Sequence, residues 1–263
     1  MTEQLEKIFT GSLNQNKKVF IPYIMAGDPE IPKTLAYIDA LIRAGADIIE
    51  LGMPFSDPIA DGPVIQKAAQ RALQSGTNIP KIFELVSTIK KSFNTPIVLM
   101  GYINPVLKYG VKSFFKDAKD HGVDGVILPD MPLEESSNVK PYAEKYSIDV
   151  ILLAAPTSNK QRLLELSRCT GSFLYYISVT GVTGLSKQIS NKVFNNIKWL
   201  KKHTKKPVVI GFGISTPEQA KNIAKFADGI VVGSAFVRLI EEHTDASEYI
   251  YTLAHQIKSA IDI

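Results

Sequence analysis

The sequence predicts one parallel (β/α)8 barrel of the TIM type over residues 1–263, with an extra helix at its start and a short helix before its last. Three observations lead there. Short β-branched runs alternate with amphipathic helical runs from end to end, the signature of parallel βαβ units. The strand-like runs number eight, which is the number that closes a parallel barrel. Chemically unusual residues collect at one set of junctions, where a strand hands over to the next helix.

Taken in order, an opening helix over 3–9 has no strand before it, and its Leu5 and Phe9 suit a plug for the barrel floor. Strands are expected over 19–25, 47–51, 97–100, 125–128, 149–154, 173–178, 207–211 and 229–232. The run 46–52 is almost continuously apolar, as in a parallel strand covered on both faces. Helices are expected over 31–44, 64–75 with 79–93, 111–121, 134–146, 160–168, 191–203 and 217–226, then a short run over 236–240 and a last helix over 246–261. The phrases Ala44-Gly45-Ala46-Asp47, His121-Gly122-Val123-Asp124 and Phe226-Ala227-Asp228-Gly229 place Gly or Asp between a helix end and the next strand, and read as helix stops. The alternative is an open doubly wound sheet, whose dinucleotide fingerprint belongs after the first strand. That strand ends in Met25-Ala26-Gly27-Asp28-Pro29. The near match Gly211-Phe212-Gly213-Ile214-Ser215-Thr216 follows the seventh strand and lacks the third glycine.

Composition excludes several function classes. A 45% apolar chain of this length builds a large core and is not disordered. The net charge of +4 comes from 25 Lys against 5 Arg, with the Lys scattered at helix ends, which reads as solvated surface and not as a nucleic-acid face. A lone Cys169 forms no internal disulfide, and His121, His203, His243 and His255 lack metal-ligand spacing, so no metal site is expected. No apolar run approaches a membrane span, and the first residues lack a signal-peptide core. The expected location is the cytoplasm, or a plastid stroma if the Lys-, Asn- and Ile-rich composition reflects a plastid genome.

Within residues 47–63, DIIELGMPFSDPIADGP, Glu50 breaks the apolar pattern near the end of a buried strand. A carboxylate there costs several kcal/mol unless it is paired, hydrogen-bonded or protonated, which makes it a candidate for chemistry. Its structural alternative is membership of an ion pair. Asp61 lies beyond a loop punctuated by Pro54, Pro58, Gly62 and Pro63, where a barrel brings it back over the strand end. Its alternative is to cap the following helix. The turns after strands six to eight, Gly181-Val182-Thr183-Gly184, Gly211-Phe212-Gly213 and Gly233-Ser234-Ala235, form a set that suits a phosphate held by backbone N–H groups and a helix N-terminus. The candidates there are Gly184, Gly213, Gly233 and Ser234.

The phrases Gly27-Asp28-Pro29, Glu50-Leu51-Gly52, Pro54-Phe55-Ser56-Asp57-Pro58, Ala60-Asp61-Gly62-Pro63, Gly181-Val182-Thr183-Gly184, Gly211-Phe212-Gly213-Ile214, Pro217-Glu218-Gln219 and Gly233-Ser234-Ala235 resemble the tryptophan synthase α subunit family from about residue 20 to 237. The resemblance implies a lyase that cleaves indole-3-glycerol phosphate to indole and glyceraldehyde 3-phosphate. It implies Glu50 as general acid/base, Asp61 as support for the indole as charge develops on its nitrogen, Tyr175 beside the reacting centre, Thr183 orienting Asp61, and the phosphate on Gly184, Gly213, Gly233 and Ser234. Tyr23, Met100, Ile127 and Phe212 at strand ends are candidates for a flat indole slot and serve equally well as core. The segment 179–190 reads as a glycine-hinged lid; many relatives place an Arg two positions after Gly-Val-Thr-Gly, where this chain has Ser186 and Lys187.

This half-reaction needs no metal or organic cofactor in the chain itself. The resemblance further implies docking on a pyridoxal-phosphate-dependent β subunit in an α2β2 heterotetramer, through mouth loops 54–58, 104–109 and 129–132 with Phe55 and Met131 exposed. Two competing readings are another phosphate-binding barrel of amino-acid synthesis, which would add an early Lys or Cys, and a silent barrel that only regulates a partner.

Overall fold

The computed structural model describes residues 3–177, 191–211 and 213–262. Among them nine parallel strand segments pair into one sheet: β1 (Val19–Met25), β2 (Ile49–Gly52), β3 (Ile97–Met100), β4 (Gly125–Ile127), β5 (Asp149–Ile151), β6 (Leu153–Ala154), β7 (Leu174–Ile177), β8 (Val208–Gly211) and β9 (Gly229–Val232). Their spatial order is β5-β4-β3-β2-β1-β9-β8-β7-β6. The two ends of that order are consecutive in the chain and separated by Leu152 alone, so the ribbon bends round into a barrel. The single strand expected over 149–154 is thus two segments. Leu152 donates its N–H to Thr170 Oγ1 (3.0 Å) while its carbonyl accepts from the Tyr175 amide (3.1 Å), so the chain changes neighbour at that residue.

Side chains alternate along every strand, as a pleated backbone requires. On β1, Val19, Ile21, Tyr23 and Met25 point into the barrel, while Phe20 and Ile24 pack outward against the helices. The same alternation sends Val98, Ile127, Ile151, Phe173, Tyr175, Val209 and Val231 inward. At the floor, helix α1 (Glu3–Asn14) inserts Leu5 and Phe9 into this inner cluster, with the Phe9 and Phe173 rings 5.2 Å apart. The outer ring contains α2 (Ile31–Arg43), α4 (Ile79–Ser92) after α3 (Pro63–Gln74), α5 (Ile103–Tyr109), α6 (Val111–Asp120), α7 (Lys140–Lys145), α8 (Lys160–Cys169), α9 (Asn191–His203), α10 (Pro217–Ala224) and α12 (Ser247–Ile261) following α11 (Ser234–Glu242). Helices α3 and α11 differ from the others. Their buried residues Ala68, Ala69, Ala72 and Val237 join the inner cluster, so the two helices pack against each other and cap one side of the barrel.

Two expected elements come out differently. The helix expected over 134–146 is a 3-10 turn (Leu133–Asn138) followed by α7, because Pro141 has no N–H to carry a helix through and is tolerated only in a first turn. Residues 104–109, read as a mouth loop, lie within α5. Its opening amide, on Ile103, is held by Asp130 (3.0 Å) from the next strand's loop.

At the opposite end the barrel is held by acids that lead into its strands. Asp47, Asp124 and Asp228 precede β2, β4 and β9, and each accepts the amide of a neighbouring strand: Phe20 (2.7 Å), Ile97 (2.9 Å) and Val208 (2.9 Å). Each also meets a lysine from the helical layer, Lys258 (2.8 Å), Lys90 (2.7 Å) and Lys201 (2.7 Å). Removing the lysine takes one counter-charge away from a partly desolvated carboxylate. We expect Lys90→Met to cost about 2–4 kcal/mol, read as a lower urea midpoint at unchanged slope, with ligand binding at the other end of the barrel unaffected.

Candidate active site

Tyr23 and Glu50 are register partners on β1 and β2, so their side chains stand next to each other inside the barrel. Met100 on β3 and Tyr175 on β7 project into the same space. Asp61 reaches it from the loop before α3, and Gly213, Gly233 and Ser234 reach it from the turns after β8 and β9. These residues, with Ile65, Gly211 and Val231, line one cavity of ≈ 150 Å³. The larger ≈ 490 Å³ cleft lined by Arg168, His203 and Lys205 at the barrel floor brings in no buried acid among the described residues.

Glu50 is only 1% exposed. Burial, and then the nearby charge of Asp61, push its carboxyl up from 4.5 to about 8, so it is protonated at neutral pH. Among the described residues no cation pairs with it. Asp61 is raised by burial to about 6, restrained by a hydrogen bond from the Tyr102 hydroxyl, so it is ionised at neutral pH. That hydroxyl also accepts the Ala60 amide (2.9 Å), so one tyrosine pins two successive residues of the loop. The helix-capping alternative for Asp61 does not hold: the N-cap of α3 is Gly62, with no side-chain cap bond. Two carboxyls with environments that separate their protonation states are the arrangement an acid–base site requires. Tyr23 and Tyr175 are buried, and desolvation followed by the nearby carboxylates holds both hydroxyls well above their usual range, so they remain donors.

Two glycines make room for these tyrosines. A Cβ on Gly52 would collide with the Tyr23 ring, and one on Gly211 with the Tyr175 ring. Gly213 is different, since a Cβ there meets no atom of the described residues within 4 Å. Gly233 precedes α11, whose first-turn residue Ser234 lines the cavity, so the positive end of a helix faces the space.

Of the residues singled out from sequence, Glu50, Asp61, Tyr175, Tyr23, Met100, Gly213, Gly233 and Ser234 converge on this cavity. Ile127 does not line it; it is fully buried among Val98, Ile151 and the rest of the inner cluster, a core residue by position. Thr183, Gly184 and Phe212 lie outside the described residues, as does segment 179–190. Met131, expected exposed on the rim, is buried, because its side chain joins the outer core, and Phe55 is half-buried against Tyr102 with rings 5.4 Å apart. The apolar groups that do stand out at the mouth are Ile59 and Leu107, 86% and 53% exposed. Residues 102–104 stand out in the sequence as one of the strand-to-loop junctions, but only the structure gives Tyr102, two residues past the end of β3, its role.

A family model described as tryptophan synthase alpha chain matches residues 9–261. The chain belongs to this family. It is 47% identical over 234 residues to the tryptophan synthase alpha chain of Geotalea uraniireducens, covering 89% of this chain and 88% of that one. The alpha chain of Thermoanaerobacter sp. is 42% identical over 260 residues, 99% of each. Among solved structures, tryptophan synthase subunit alpha from Legionella pneumophila superposes with a TM-score of 0.90 at 34% identity, covering 100% of this chain and 99% of that one. Tryptophan synthase from M. tuberculosis superposes at 0.91 and 32%, covering 100% of both. The family's TIM barrel is therefore the fold of this chain.

The glycines separate packing from ligand space. Gly211→Ala is expected to lower the thermal midpoint by displacing Tyr175. Gly213→Ala is expected to leave the midpoint within about 1 °C of wild type, since surface changes without new contacts lie within ±0.5 kcal/mol, yet to weaken binding of glycerol phosphate measured by calorimetry.

Proposed function

We propose that this chain, acting as one catalytic domain over residues 1–263, is the α subunit of tryptophan synthase, the lyase that cleaves indole-3-glycerol phosphate to indole and glyceraldehyde 3-phosphate. The observation that carries the residue assignment is the pairing of a protonated buried Glu50 with an ionised Asp61 across one cavity. Cleavage is a retro-aldol step. Glu50 gives its proton to the indole carbon that bears the glycerol chain, and the ring nitrogen becomes cationic, stabilised by the Asp61 carboxylate. The bond to the glycerol carbon then breaks, with its electron pair returning to the indole ring. The adjacent hydroxyl becomes the aldehyde of glyceraldehyde 3-phosphate as its proton passes to the Glu50 carboxylate, and the proton count closes.

Tyr175, a buried donor next to Glu50, orients the reacting end of the substrate, and Tyr23 and Met100 supply flat apolar contact for the indole. The phosphate sits on the backbone amides around Gly213, Gly233 and Ser234, with the serine hydroxyl as a further donor. Ile127 is left out of the slot because it is sealed in the core. Thr183 and Gly184 keep the roles the family resemblance implies.

None of these steps calls on a cofactor in this chain; pyridoxal phosphate belongs to the β subunit, to which indole passes in an α2β2 assembly. Exposed Ile59 and Leu107 at the mouth suit that docking face. Among the described residues no helix is long and apolar enough to cross a membrane. We place the enzyme in the cytoplasm, or in the plastid stroma if the chain is plastid-encoded.

The deciding assay is indole release from indole-3-glycerol phosphate with and without a β subunit; no release in either case would remove the proposal. With Glu50 required as the acid and Asp61 as the anion, kcat/KM is expected to be bell-shaped with apparent limbs near 6 and 8 that belong to the coupled pair. Glu50→Gln is expected to lower kcat by roughly 10²–10⁴. It is also expected to stabilise the protein at high pH. Because the folded-state pKa of Glu50 is raised, the unfolded chain releases its proton first, and stability falls as pH rises from 4.5 to about 8. That span sets a ceiling of ~5 kcal/mol on the loss. Urea midpoints at pH 5 and pH 8 should therefore lie closer together in the variant than in the wild type, with the remaining gap set by the raised pKa of Asp61.

A further inference from the structure

Asp28, in the loop after β1, has a fully buried side chain, yet it lines no part of the cavity. Both its oxygens accept from Arg71 of α3, Nε to Oδ1 at 2.7 Å and Nη2 to Oδ2 at 2.8 Å. The same guanidinium lies 3.6 Å from Glu241 of α11, and Lys67 of α3 lies 3.4 Å from that carboxylate. The loop is gripped a second time from α3, since Ser75 donates to the Gly27 carbonyl (3.0 Å). Gly27 itself, at φ 77, leaves no space for a side chain against Thr77.

The consequence lies in what these three elements carry. Helix α3 begins two residues after Asp61, and α11 begins at Ser234. Arg71 and Glu241 each stand about two turns, roughly 10–12 Å, from those starts. The loop of Asp28 continues from β1, which carries Tyr23. One planar guanidinium therefore joins the anion-bearing loop, the phosphate-facing helix and the strand beside Glu50. A well-packed apolar pair would hold these helices together at least as firmly, and it would leave them free to slide. The forked ion pair adds a defined orientation.

Resting on the function proposed above, we infer that Arg71, bracketed by Asp28 and Glu241, is a positioning residue: it sets the spacing between Asp61 and the phosphate-binding turn at Ser234. Arg71→Met is expected to lower kcat/KM by roughly 10²-fold, the scale of about 1 Å of misplacement. It should also raise the dissociation constant for glycerol phosphate. Arg71→Lys, which keeps the charge but not the fork, should recover only part of the loss. Glu241→Gln, a milder change at a partly exposed residue, should raise KM while leaving kcat close to wild type. Arg162→Met, which breaks an exposed forked pair with Glu134 elsewhere, should alter neither.

Hydrogen exchange on the αβ complex gives a readout independent of turnover. Amides of residues 61–66 and 233–237 should exchange faster in Arg71→Met and Glu241→Gln, with the barrel strands unchanged. Unchanged exchange in both segments, or faster exchange spread over the whole barrel, would overturn the inference, the second result because it marks general destabilisation. Absence of indole release by the wild type would count against the proposed function alone, and the exchange result would still decide the bracket.

Discussion

The cost of keeping the Glu50 carboxyl out of water governs the upper half of this barrel. A buried acid with no cation beside it among the described residues is tolerated at neutral pH because it stays protonated, and it stays protonated because the surroundings are dry and Asp61 is near. The neighbouring residues follow from that requirement. Tyrosine rings fill the space around the acid, and Gly52 and Gly211 give up their side chains so that those rings fit. The alanine face of α3 lets that helix lie close over the barrel, and Tyr102 pins the loop that carries the second acid. Each of these features lowers the local dielectric or holds a group at the cavity wall, and both effects strengthen electrostatic control of a reaction.

The two ends of the barrel handle acids in opposite ways. At the floor, Asp47, Asp124 and Asp228 each receive a backbone amide and a lysine, so their charge is matched and serves to tie strands together. At the mouth, no lysine of the described residues pairs with Glu50 or Asp61, and their protonation states separate. Stability and chemistry are thereby divided between faces, as expected for a barrel whose strands all point the same way. The Asp28–Arg71 pair is the exception, a matched pair on the chemical side, and there it joins the elements that surround the cavity.

Family membership and barrel were legible in the sequence because both rest on local signals: eight apolar runs, helical periodicity between them, and the unbroken phrase from Glu50 to Pro63. Glu50 was legible for the same reason, as a charge in an apolar strand. What the sequence could not decide depended on partners far along the chain. The switch of neighbours at Leu152 needs Thr170, the start of α5 needs Asp130, and the lysine partners of the floor acids come from helices up to 211 residues away. Ile127 and Met100 read alike as apolar strand-end residues; only packing shows that one is sealed in the core and the other faces the cavity. Which side of a strand meets empty space is set by what the other strands place there, and that is a property of the closed barrel.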